Sequence, residues 1–232
     1  MEESKTKNSI RDILGKYISE ILVIFIGISI SFFFDEWRDN RKDDETVKKH
    51  LTFLKTNLAE DTLKLTTYIN HGNRLVNSIN KLAYFKKDSE ITDKIDFYID
   101  NAASYLAFKS NQMAYEEIKQ TAHTNLIKND SLRTLFLSYY TVKIPYCTEW
   151  CKIDEIHTMT QVIPEMSIYF PVVVDSLNLV SSQEKVKALR LKKIRNLLLA
   201  NSTYKKATMD AFISAKKAAI NLLKEIDDEL KK

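Results

Sequence analysis

Glycine and proline are nearly missing. The 232 residues hold three of each, where ordinary usage would put about 28 of the two together. Strand-rich folds need these residues to punctuate their turns, whereas long helices exclude them. The longest strand-like stretch is Val172-Val173-Val174, inside a proline-bounded connector, so the expected fold class is all-α. Catalytic signatures are absent too. No serine sits in a glycine-rich elbow, no glycine-rich loop could cradle a phosphate, and no His-Glu-x-x-His occurs. Those absences argue against an enzyme, and no cofactor is expected.

Cysteine is limited to Cys147 and Cys151, one helical turn apart, with Glu155 and His157 following. Metal ligands do occur at i and i+4 on a helix, but two thiols and one histidine without a second ligand pair make a weak site. Small, partly buried residues are the simpler account, and one-turn spacing on a helix seldom suits a disulfide. The histidines at 50, 71, 123 and 157 are scattered. His50 and His71, three heptads apart beside an apolar seam, read as solvated. The pair Glu116-Glu117 reads as an exposed helical pair rather than an acid–base couple.

Long apolar runs are equally scarce, and the one that exists is the most informative feature. Ile21-Leu-Val-Ile-Phe-Ile-Gly-Ile-Ser-Ile-Ser-Phe-Phe-Phe34 has charges on both sides. Alone it would rise about 21 Å, short of a ~30 Å hydrocarbon core. Extended from Tyr17 to Trp37 it reaches about 31 Å, with an amphipathic ring at each interface. The twelve Ile, Leu, Val and Phe residues between them outweigh one terminal carboxylate, Glu20, which can snorkel or face another helix. A cleaved signal peptide would use Ser29-Ile30-Ser31 as its cleavage site, yet the apolar run continues through Phe34. A buried core helix would need a matching apolar surface that no other segment offers.

Lysine and arginine nearly balance across this span, so orientation is weakly signalled. A basic tail retained inside, with the large domain exported, is the arrangement expected. Gly27 and Ser31 are four apart, and Glu20 lies seven before Gly27 on nearly the same face. That face admits close approach by a second helix, with Glu20 hydrogen-bonded inside the assembly.

Beyond the span, Val47, Leu51, Leu54, Leu58, Leu65, Tyr68, Leu75, Ile79 and Leu82 recur at alternating spacings of three and four. Only Asp61 and Gly72 break this seam. Thr62, Ile69 and Val76 widen it, which favours an intramolecular bundle over a strict coiled coil. The expected organisation is a basic tail (1–16), a transmembrane helix (17–37) and one helical-bundle domain (38–232). Within that domain the reading gives a long helix (38–87), shorter helices (91–163), a connector (164–182) and a long C-terminal helix (183–231). Ser110, Asp130 or Ser131, and Ser182 are the expected N-caps, and Pro145 should bend or break its helix. The last helix buries Leu191, Ile194, Leu198, Phe212, Ala215, Ala219, Leu222 and Ile226, and its length suits antiparallel pairing with the first.

The residues Lys16-Tyr17, Glu20, Gly27, Trp37 and Arg41-Lys42, then Ala114-Tyr115-Glu116-Glu117-Ile118-Lys119, Leu126-Ile127-Lys128-Asn129-Asp130-Ser131-Leu132-Arg133 and Tyr139-Tyr140 carry a resemblance. The chain resembles bacterial single-span membrane proteins, frequent in the Bacteroidetes group, known as domain of unknown function 6090. Phe33 stands where that family often has glutamine, and Ala122 where a glycine commonly turns the chain. The resemblance implies an anchor in the bacterial inner membrane and a helical body, and it carries over no activity.

One charge feature stands out. Lys185, Lys187, Arg190, Lys192, Lys193, Arg195, Lys205 and Lys206 share their stretch with a single acid, Glu184. Lys185, Arg190, Lys192, Lys193 and Arg195 make a candidate docking surface for an acidic partner or anionic lipid. The simpler account is a solvated flank balancing acidic residues 35–45. Nucleic acid is disfavoured, because the patch lacks interleaved stacking aromatics. The functional expectation is a membrane-anchored, non-enzymatic helical scaffold or accessory subunit that contacts lipid, self-associates and holds a protein partner. The alternative is a ligand sensor, with a pocket among Tyr139, Tyr140, Tyr146 and Trp150 and a separate signalling partner.

Overall fold

The computed structural model describes the backbone of residues 3–171 and 180–232, with side chains at Tyr17 and from Glu20 onward. The triple valine at 172–174 lies outside the described residues. All described secondary structure is helical, as the shortage of glycine and proline requires. The chain divides into two compact units, Met1–Lys49 and His50–Lys232, and helix α1 (Glu3–Tyr84) contributes to both.

In the first unit, the large apolar residues from Ile21 to Phe34 are all exposed, from 46% at Ile26 to 70% at Phe32. Short-range contacts follow: Arg38 reaches Asp35 at 3.4 Å, Arg41 reaches Glu45 at 3.3 Å and lies 5.9 Å over the Trp37 ring. Among the described residues, no helix is long and apolar enough to cross a membrane. The physical reason is the flanks. Glu20 on one side and Asp35 and Glu36 on the other limit the unbroken run to 14 residues. The extension back to Tyr17 passes through Ile18 and Ser19, whose side chains lie outside the described residues.

The second unit is built on three long helical columns. The first is α1 from His50 onward, where Leu51, Leu54, Leu58, Leu65, Leu75, Ile79 and Leu82 are all buried. The third is α8 (Lys192–Leu230), which runs antiparallel to α1. Lys55 pairs with Asp227 at 2.6 Å, Tyr68 meets Phe212 with ring centres 6.1 Å apart, Ser202 Oγ donates to Asn80 Oδ1 at 3.2 Å, and Arg195 Nε donates to the Ala83 carbonyl at 2.8 Å. Gly72 explains one break in the seam. A Cβ there would collide with the Met209 thioether and come within 3.2 Å of Leu106 Cδ1, so the missing side chain lets α8 approach.

The middle column runs through α4 (Asp130–Ser138), α5 (Ile144–His157) and α6 (Ile163–Tyr169), joined by π-helical turns at Tyr139–Lys143 and Thr158–Val162. Pro145 is expected to bend or break its helix, and the structure shows no break there; the connector expected from Pro164 is corrected, because α6 continues to Tyr169. Each proline sits in the first two positions after a π turn. Proline offers no N–H and crowds the carbonyl four residues back; widening that turn relieves both problems, so the helix continues.

Among the described residues the unit also holds three smaller α-helices, α2 (Ile95–Ala102), α3 (Met113–Gln120) and α7 (Ser182–Leu189), and short 3-10 turns at Asp88–Glu90, Thr92–Lys94 and His123–Leu126. Ser110 is not a cap; Gln112 occupies that position of α3 without a side-chain cap bond. Asn129 caps α4, accepting from Leu132 N at 3.2 Å. Ser181 caps α7 in a reciprocal box with Glu184. The expected last helix is two helices, because the chain breaks at Arg190 and Leu191. Leu191, expected inside, is 42% exposed as the N-cap residue of α8.

Ala122 is the described non-glycine residue with positive φ, at 55° with ψ 19°. This is the left-handed region, which costs an L-residue with a Cβ roughly 1–2 kcal/mol. Ala122→Gly should therefore raise unfolding stability by about 0.5–1 kcal/mol, after the greater freedom of the unfolded glycine is set against the relieved strain. Chemical denaturation checks this, and a less stable variant would contradict it.

Candidate functional site

Between α2 and α3 the chain abandons helix. Residues 103–112 form an extended strap in which Leu106, Phe108 and Ser110 are buried while Tyr105, Ala107 and Lys109 are exposed. A strap inside a bundle has backbone N–H groups without helical partners, and each must find an acceptor or remain desolvated at a cost of about 1–3 kcal/mol. Here the acceptors are side chains of neighbouring helices. Asp154 Oδ2 takes the Leu106 N–H at 2.9 Å, Cys151 Sγ takes that of Phe108 at 3.4 Å, and Asp61 Oδ1 takes that of Asn111 at 2.8 Å. At the entry to the strap, Asn201 Nδ2 donates to the Ala102 carbonyl at 2.8 Å.

Asp61 thereby explains the other break in the seam. It is fully buried at a core position of α1. Its second oxygen accepts from Ser110 Oγ at 2.5 Å and from Tyr139 Oη at 2.8 Å. Burial raises its pKa against the pull of these hydrogen bonds. One carboxylate thus ties α1, the strap and the middle column.

The second buried charge is balanced by an ion. Lys205 and Asp154 are both sealed from solvent; Lys205 Nζ lies 2.5 Å from Asp154 Oδ1 and 3.0 Å from Thr158 Oγ1. Desolvation outweighs the carboxylate and pulls the ammonium below its ordinary pKa. The His157 ring, 4.3 Å from that of Tyr204, is likewise held below its usual value by burial and then by Lys205.

Cys147 packs in the core, whereas the half-buried Cys151 is an acceptor for the strap. Cys147 is fully buried, its thiol donates to the Ala211 carbonyl at 3.4 Å, and burial pushes its pKa up to about 12. Among the described residues no group of three or more His, Cys, Asp or Glu could hold a metal ion. His50 is corrected from solvated to buried, with Nε2 2.8 Å from His123 Nδ1 and Nδ1 3.7 Å from the Glu117 carboxylate.

The candidate association face lies in the first unit. Glu20 is exposed, nothing among the described residues lies within 4 Å of a Cβ on Gly27, and Ser31 Oγ donates to the Gly27 carbonyl at 3.1 Å. The candidate basic surface is largely engaged inside the second unit. Lys185 pairs with Asp96 at 2.5 Å, Arg190 with Asp88 at 2.5 Å while lying over Phe85, Lys193 with Glu165 at 2.6 Å, and Arg195 with the Ala83 carbonyl. Lys192 is exposed. Lys205 belongs to the core, not to that surface.

Sequence reasoning missed the strap and its acceptors. The signal was a period-two alternation, Leu106, Phe108, Ser110, set between helical segments. No family model matches the chain, and no curated protein or solved structure does. The family resemblance is therefore carried by the quoted residues alone.

The Lys205–Asp154 pair yields a direct test. Lys205→Met leaves a buried carboxylate without its counter-ion and should cost about 3–5 kcal/mol. Asp154→Asn in that background removes the charge and keeps an oxygen for the Leu106 N–H, so most of the loss should return. Urea denaturation of both variants checks this. A double variant no more stable than the single one would show that the uncompensated charge is not the cause.

Proposed function

We propose that this protein is a membrane-anchored, non-enzymatic helical scaffold that self-associates and holds a protein partner. The observation carrying this reading is the exposed run Ile21–Phe34. Its eleven large apolar side chains point to every side of α1 and remain at least 46% exposed. Monomeric soluble proteins rarely leave more than a few hundred Å² of contiguous apolar surface in water. A helix apolar all round is normally the core of a large protein or a bilayer span.

Further observations support lipid as the cover. Tyr17 and Trp37 stand exposed at the two ends of a segment about 31 Å long, the spacing of bilayer interfaces. The Ser31 hydroxyl is satisfied within its own helix, as a polar group in hydrocarbon must be. Glu20, three residues from Tyr17, lies where a carboxylate can reach headgroups. The basic tail stays inside the bacterial inner membrane in this reading, and the large domain is exported. Self-association uses the face of Glu20, Gly27 and Ser31, where a Cβ on Gly27 would meet nothing within 4 Å among the described residues. The scaffold role fits the buried ionisable groups Asp61, Asp154 and Lys205, all of which are engaged in holding helices and strap together.

The test is extraction of native membranes at alkaline pH. The wild-type chain should stay with the lipid pellet, and Gly27→Cys should give a crosslinked dimer there. Ile24→Asp with Ile28→Asp adds about 5–7 kcal/mol of insertion cost and should release the chain to the supernatant. Wild-type protein in the supernatant would overturn the anchor, and a monomeric Gly27→Cys chain would overturn the association face.

A further inference from the structure

His157 is the last residue of α5 before the π-helical turn Thr158–Val162. Its half-buried ring lies against Tyr204, with centres 4.3 Å apart and planes 33° from parallel. The next residues of the two chains of contact, Thr158 and Lys205, meet at 3.0 Å between Oγ1 and Nζ. The ring therefore stands beside the sealed Lys205–Asp154 pair. His157 Nε2 is buried and has no hydrogen-bond partner among the described residues. A neutral imidazole carries a proton on one ring nitrogen, whereas the cation carries one on each. In the cation, Nε2–H would thus be sealed without an acceptor, whichever nitrogen receives the second proton.

Among the described residues, the charged groups that act on the ring are Lys205 of α8 and Asp154 of its own helix. Both Asp154 oxygens are already engaged, Oδ1 with Lys205 Nζ and Oδ2 with the Leu106 N–H of the strap at 2.9 Å. The sealed set balances one cation against one carboxylate. A second cation would leave it with a net charge, which burial penalises. Burial, and then Lys205, hold the His157 ring below its ordinary pKa. Below about pH 6.5 an opened chain therefore binds a proton that the closed one refuses, and the closed form loses stability as the pH falls. Asp61, the other carboxylate anchoring the strap, acts in the opposite sense, because burial raises its pKa. We propose that His157 is an acid-sensitive latch: its protonation loosens the Asp154–Lys205 junction and releases the strap at residues 103–112. Release uncovers Leu106 and Phe108, which are buried in the closed form. The latch lies within the second unit and is independent of how the apolar run of α1 is covered.

Amide hydrogen exchange of the full chain in lipid nanodiscs tests this, at about pH 7.5 and about pH 5.5 with rates corrected for intrinsic exchange. Opening at the Leu106 N–H should become at least about threefold more frequent at the lower pH, and a single proton caps the rise at about tenfold. Amides around Leu222, in the buried face of α8, should keep their rate, because the opening is confined to the strap and its junction. His157→Phe, which keeps a ring against Tyr204, and His157→Gln should both lose the rise at Leu106. A wild-type Leu106 rate that ignores pH would overturn the proposal, as would a rise that persists in either variant. An equal rise around Leu222 would mark global unfolding and overturn the latch.

Discussion

The constraint from which the rest follows is that α1 carries more apolar surface than water will tolerate. From Leu51 to Leu82 that surface is a stripe on one side, and the chain's own helices bury its leucines and Ile79. From Ile21 to Phe34 it surrounds the helix, and its large side chains are 46–70% exposed. Burial of apolar area is worth roughly 25 cal/mol per Å², so an uncovered segment of this kind is a demand for a partner. One stretch is satisfied by folding. The other calls for lipid or for further copies of the chain.

Hydrophobic burial alone would let three long columns slide by a turn at little cost, since leucine meets leucine in many registers. The buried polar contacts remove that freedom. Asp61 finds Ser110, Asn111 and Tyr139 at once in a single alignment of α1, strap and middle column. Asp154 meets both the Leu106 N–H and Lys205 only when α8 is also in place. Misalignment would strand a charge, which is dearer than any one lost methylene contact. Gly72 acts in the same direction by shape, admitting Met209 where a side chain would exclude it.

Much of this was legible in the residues. The lack of glycine and proline gave the all-helical class, the seam on α1 followed from spacing, and its antiparallel pairing with the last helix followed from length. The two interruptions of that seam were visible but mute, because a pattern of spacings cannot say what an aspartate or a glycine faces across the core. The strap was hidden because ten residues are too few for periodicity to compete with flanking helices. Pro145 and Pro164 misled for a local reason: a π turn absorbs a proline, and nothing in composition distinguishes that from a break. Lysines close in sequence looked like one surface, yet Asp88, Asp96, Asp154 and Glu165 arrive from distant segments to meet Lys185, Arg190, Lys193 and Lys205. The left-handed backbone of Ala122 was not legible, because neither composition nor spacing shows the φ of a single residue.

A single scan along α1 tests most directly the claim that it is covered in two different ways. With Cys147 and Cys151 replaced by alanine, a nitroxide is placed at successive positions from 21 to 34 and from 51 to 65 in the reconstituted chain. Collision with oxygen is then compared with collision with a water-soluble nickel complex. The account predicts high oxygen and low nickel accessibility at every position of the first stretch, and a 3.6-residue oscillation in the second. Nickel accessibility oscillating through 21–34 would place that stretch at a water-facing protein surface and contradict it.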